Sequence, residues 1–117
     1  MLIFLEYTCQ YLTSISMANS FGEKIRLLRE NNALLQKQVA LHLDIDGPML
    51  SKIEKGERMA KKEQVLLLAG IFGVESGELM AVWLADRLLR VVEDEPVALD
   101  ALLLAEAEIK FANGRLI

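Results

Sequence analysis

The sequence predicts an all-α fold, and three observations carry that prediction. Apolar residues recur three and four positions apart in successive segments: Ile25/Leu28, Val39/Ala40/Leu43, Leu50/Ile53 and Val65/Leu68/Ala69/Phe72. That spacing lines one face of a helix. Asn31-Asn32, the run from Asp44 to Pro48, Gly73 and the run from Glu93 to Pro96 punctuate those segments with turn and cap chemistry. Finally, 53% of the 117 residues are apolar and 26% charged, a balance that supports a packed core in one small domain with room for an accessory element.

Residues 1–19 form an N-terminal extension. Leu2, Ile3, Phe4, Leu5, Tyr7, Tyr11, Leu12 and Ile15 are too apolar for a free tail. Tyr, Thr and Ile lean towards strand, while the length allows one helix. Met17 offers an alternative start, in which case the first sixteen residues are an upstream extension. Ser20-Phe21-Gly22-Glu23 is a capping-box pattern opening a helix to about Glu30. A second helix begins near Gln36 without a polar cap at Leu35, a loss of roughly 1 kcal/mol unless Leu35 regains it by packing. Asp46 can cap a third helix and Pro48 fits its first turn. The fourth spans about Lys62 to Phe72, with Gly73 at its C-terminal stop. Ser76 is the expected cap of a fifth, continuing to Val92 with Leu79, Val82, Trp83, Leu88 and Leu89 on its apolar side. After the boundary at Glu93 to Pro96, a last helix covers about Val97 to Ala112 and stops at Asn113-Gly114. Its stretch Ala101-Leu102-Leu103-Leu104-Ala105 is apolar on nearly every side, more than one stripe of a terminal helix needs.

The second and third helices are short and joined by a tight turn, and Ala40 is small where two helix axes must approach. Such a pair suggests a helix-turn-helix, whose second helix can enter a DNA major groove. From about Phe21 to Leu79 the chain resembles the phage-repressor-like (Xre) family of bacterial regulators. The likeness rests on Ser51-Lys52-Ile53-Glu54-Lys55-Gly56, on Leu34 with Gln36 and Val39-Ala40, and on Arg29. It implies a five-helix repressor-like helix-turn-helix domain over residues 20–80. The surplus apolar surface of the last helix makes the C-terminal helices over 81–117 the expected dimerisation element, the alternative being packing onto the fourth helix of the same chain.

What the resemblance implies about the site follows residue by residue. Gln36, beside Lys37, would hold a phosphate, and Gly47, Pro48 and Lys52 occupy the base-reading positions. Two of those three lack a polar side chain, so base readout leans on Lys52, with Met49 and Ser51 as lesser contacts. Met49 could equally belong to the core, and Ser51 could touch a phosphate. Lys55, Arg58 and Lys61 suit backbone contacts, or they are merely solvated. Arg29 and Glu54 match a structural ion pair between the first helix and the end of the recognition helix.

Composition narrows the partners. The net charge of −4 excludes a uniformly basic coat, yet Lys52 to Lys62 holds five basic residues against two acidic ones. From Asp86 onward seven acidic residues outnumber four basic ones. A basic middle and an acidic tail suit a DNA-facing half and a partner-facing half. Cys9 is the one cysteine, which excludes an intramolecular disulfide and a cysteine metal cluster. A reducing cytoplasm is the natural compartment, and Met1 to Leu5 is too short to span a membrane. No cofactor, metal site or catalytic set is expected. His42, the single histidine, falls on the exposed side of its helix.

Two functions follow. One is a sequence-specific regulator that binds double-stranded DNA as a homodimer through its C-terminal helices, with family analogy pointing to a restriction–modification or toxin–antitoxin operon. The other is an antitoxin-like interaction module that keeps the fold as scaffold and uses the apolar tail to hold a protein partner.

Overall fold

The computed structural model of the chain describes residues 20–116, with side chains from residue 21 to 114. The expectations for residues 1–19, and for the Ser20 hydroxyl as a cap, lie outside that range. The described residues form six helices and no strand: α1 (Ser20–Asn31), α2 (Gln36–His42), α3 (Gly47–Glu54), α4 (Lys62–Phe72), α5 (Ser76–Val92) and α6 (Ala98–Leu116).

Helices α1 to α5 enclose one core. Phe21 and Ile25 enter from α1, Val39, Ala40 and Leu43 from α2 and its end, Leu50 and Ile53 from α3. Val65, Leu68, Ala69 and Phe72 come from α4, and Leu79, Val82 and Trp83 from α5. Leu50, Leu68 and Leu79 are fully buried, and each removes enough apolar surface from water to contribute about 2 kcal/mol. α4 packs along α5, α2 along α3, and α1 reaches both α3 and α5. The apolar face of α3 is thereby fixed inward, and its opposite face is left to solvent.

The turns show how these helices end. Ala33 has φ 54° and Asp44 φ 57°, left-handed values that most side chains avoid. Both lie in wrap-back turns: Leu34 N–H reaches the Arg29 carbonyl at 3.1 Å, and Ile45 N–H reaches the Ala40 carbonyl at 3.0 Å. Each bond adds a second donor to a last-turn carbonyl, which also accepts from Asn32 N–H at Arg29 and from Leu43 N–H at Ala40. At the front of α3, the Asp46 carboxylate accepts from Met49 N–H at 2.8 Å, with Pro48 in the first turn. Gly73 closes α4 at φ 65°.

Four expectations need correction. Glu75, not Ser76, is the N-cap of α5, and Ser76 is already helical. Leu88 is 52% exposed, because the α5 face that meets the core runs through Leu79, Val82, Trp83 and the buried Asp86. The last helix begins at Ala98 and runs through Asn113-Gly114 to Leu116. A single Gly costs a helix only about 1 kcal/mol, too little to stop a helix already four turns long. At Leu35 packing recovers little, since the side chain is 58% exposed. Gln38 instead reaches back and accepts from Leu35 N–H at 2.7 Å, and Gln64 does the same for Lys61 at 2.8 Å.

Helix α6 stands apart from the core. Asp94 turns the chain at φ 68°, and Leu99, Leu103, Leu104, Ile109 and Phe111 all remain exposed. Where α6 leaves α5, Leu89, Val92, Ala98, Leu99 and Leu102 line an open apolar cleft of about 440 Å³.

Candidate nucleic-acid interface

The outer face of α3 follows from its inner one. With Leu50, Ile53 and Glu54 buried, the helical period turns Pro48, Lys52 and Lys55 outward in one stripe, and all three are exposed. Gly47 and Ser51 lie half-exposed on one flank of that stripe. Met49, on the other flank, packs partly against the core, which favours its reading as a core residue. Beyond α3, Arg58 and Lys61 are exposed, as is Lys37 at the front of α2.

Two shallow clefts sort the remaining residues by flank. On the side facing α1 and α2, Gln36, Ser51 and Lys55 line a cleft of about 300 Å³ with Arg26, Arg29 and Glu54. On the opposite side, Met49, Arg58 and Lys61 share a smaller one of about 130 Å³ with Ile45 and Gln64. The structure therefore sets cations on both sides of a helix whose central exposed side chain is Lys52.

Underneath lies a buried carboxylate. Glu54 accepts from Arg29 Nε at 2.7 Å and from Arg29 Nη2 at 3.1 Å, a two-pronged pair that suits the planar guanidinium. Gln36 Nε2 adds a third bond at 3.0 Å, and Arg29 Nη1 holds the Leu34 carbonyl at 2.9 Å. The bond to Glu54 raises the Arg29 guanidinium above its ordinary pKa. One carboxylate thus ties together α1, the front of α2 and the end of α3. The side-chain amide of Gln36 is thus directed at Glu54 rather than held free at the start of α2. Nearby, Arg26 bridges Glu23 and Glu30 along the surface of α1.

A family model described as a helix-turn-helix domain matches residues 22–82, just over half of the chain. The chain belongs to the helix-turn-helix domain family. No curated protein and no solved structure matches it. Within the helix-turn-helix domain, α2 and α3 are the two motif helices and Leu43 to Asp46 the turn between them.

Several contacts made behind this surface by α5 escaped sequence reading. Trp83 donates its indole N–H to the Ala60 carbonyl at 2.8 Å, and Arg90 Nη2 donates to the Gly56 carbonyl at 2.7 Å. Asp86, 2% exposed, lies 3.6 Å from Arg90 Nε. The i,i+4 spacing of Asp86 and Arg90 was visible in the sequence, but not the loop that Arg90 reaches. Among the described residues no helix is long and apolar enough to cross a membrane, and no group of His, Cys, Asp and Glu could hold a metal ion.

Proposed function

We propose that this helix-turn-helix protein is a sequence-specific transcriptional regulator that seats α3 in the major groove of double-stranded DNA. The observation that carries this reading is the outward stripe of Pro48, Lys52 and Lys55, flanked by Arg58 and Lys61 and backed by the buried Arg29–Glu54 pair. Lys52 donates to guanine O6 and N7, as its place at the centre of the stripe suggests. Lys37, Lys55, Arg58, Lys61 and the backbone N–H of Gln36 hold phosphates and set the register. Gly47 and Pro48 allow close approach without reading a base by hydrogen bonds.

A single helix-turn-helix covers few base pairs, so the proposal includes a two-fold dimer on half-sites one helical turn apart. Residues 20–80 act as the DNA-binding domain and 81–117 as the dimerisation element, with α5 spanning the join. The exposed leucines of α6 support that assignment. Resemblance to the Xre family favours a small operon regulator in the cytoplasm, of the restriction–modification or toxin–antitoxin kind.

One observation favours a second reading, an antitoxin-like interaction module. Two of the three base-reading positions, Gly47 and Pro48, carry no polar side chain, while α6 offers a long apolar surface. A gel shift on the gene's own upstream DNA across a salt series separates the two. If each protomer of a dimer neutralises about four phosphates, log K falls with log salt at a slope of roughly −7. Absence of binding to any duplex, with a partner co-purifying, supports the second reading instead.

A further inference from the structure

Helix α5 grips the segment that follows α3 at both of its ends. Trp83 holds the Ala60 carbonyl through its indole N–H, a buried bond of 2.8 Å. Two turns later, Arg90 Nη2 holds the Gly56 carbonyl at 2.7 Å. Asp86 lies between them in sequence, and its buried carboxylate approaches Arg90 Nε at 3.6 Å, which orients the guanidinium. Both anchors grip backbone oxygens, and while Met59 and Ala60 turn towards the core, Arg58 stays exposed, as do Lys55 before it and Lys61 after it. Arg90 also brings positive charge to the carbonyl end of α3, where the helix dipole welcomes it.

We propose that Arg90, oriented by Asp86, and Trp83 are positioning residues that hold segment 56–60 so that Lys55, Arg58 and Lys61 engage phosphates as one set. The inference rests on the DNA-binding reading above. Its physical basis is preorganisation: a segment already tied down does not lose its ordering entropy at the moment of binding. Arg90 is half-buried with two of its nitrogens directed inward, so its role is to place other cations rather than to meet a phosphate itself.

The test uses the full chain with Arg90→Gln, Arg90→Lys and Trp83→Phe, the last of which removes the indole donor while keeping an aromatic ring. Phe72→Leu, a core change on α4, serves as a control of matched stability loss. Amide exchange is measured without DNA, and affinity for a duplex of arbitrary sequence across a salt series. In Arg90→Gln the Glu57 and Arg58 amides should exchange about tenfold faster while amides within α3 keep their protection. The slope of log K on log salt should shrink in magnitude by about one to two, as expected when one or two phosphate contacts are lost. Trp83→Phe should move both in the same direction, and Arg90→Lys should recover part of each. Unchanged exchange at Glu57 and Arg58 in both donor-deleting variants overturns the proposal, as does an equal slope change in Phe72→Leu. Should the unsubstituted protein bind no duplex at any salt, the DNA reading fails, and exchange alone decides whether these residues hold the segment.

Discussion

Arg29 and Glu54, twenty-five residues apart in the chain, meet through two parallel bonds of 2.7 and 3.1 Å with only 3% of the Glu54 side chain exposed. The pair joins the first helix to the last turn of the helix proposed to read DNA. Because Gln36 shares the same carboxylate, removing its charge disturbs three elements together. Glu54→Gln should therefore cost about 3 kcal/mol of stability, the lower end for breaking a buried pair. Operator affinity should fall along with it. Chemical denaturation and a binding isotherm on the same preparation test this; a normal denaturation midpoint with reduced affinity would mean that Glu54 acts at the DNA instead.

Asp46 supports α3 at its other end. Its carboxylate is the side-chain acceptor seen at that N-terminus. Asp46→Ala should cost about 1 kcal/mol, which lowers Tm by roughly 4–8 °C in a domain of this size. Asp46→Asn retains an acceptor and should lose much less. Thermal melts of the two variants settle the point, and equal losses would assign the effect to charge rather than to the cap.

Among the described residues, two of the three turns with a non-glycine residue at positive φ flank α2, and glycine would relieve their backbone strain. Ala33 and Asp44 both sit at positive φ, and both are exposed, so neither side chain offsets the strain by packing. Ala33→Gly should raise stability by about 0.5–1 kcal/mol, the relief of the left-handed penalty less the added freedom of the unfolded chain. A denaturation midpoint that falls instead would show that the added freedom outweighs the strain.

The exposed cations should separate by role. Lys52→Ala is expected to relax preference at one base pair per half-site, worth about 1–3 kcal/mol there. Lys55→Ala and Arg58→Ala should weaken all sequences alike and reduce the salt slope by about one each. A panel of single-base operator variants distinguishes these patterns. A uniform loss for Lys52→Ala would move it among the phosphate contacts.

The apolar surface of α6 yields a prediction about assembly. Leu104 and Phe111 are 70% and 59% exposed, so charging them should leave the core domain folded. Leu104→Glu with Phe111→Glu should shift a dimer to monomer in sedimentation at equal concentration, with the melting of α1 to α5 little changed. An unaltered mass would place the interface elsewhere.

Much of the architecture could be read from local chemistry. Asp46 and Pro48 mark the start of α3, Gly73 the end of α4, and the period of three and four selects the core residues that the structure buries. Each of those signals acts within a few residues of its cause, which is why it survives in a linear reading. Asn113-Gly114 misled because a turn preference of about 1 kcal/mol is a bias and not a stop. Leu88 misled because both sides of α5 are apolar, and which side faces inward depends on α1 and α4. At the candidate interface, the cations and the Arg29–Glu54 match were visible. The inward turn of the Gln36 amide and the reach of Trp83 and Arg90 to distant carbonyls were not, since each depends on how α5 and α1 lie against α3.

The chain's one tryptophan is Trp83, bonded to the segment between α3 and α4, with the Arg87 guanidinium 4.8 Å above its ring. Nature has thus installed a fluorophore at the joint of interest, without labelling. Its emission should redden when that joint loosens, long before the protein as a whole comes apart, so a simple spectrometer can follow the event in real time.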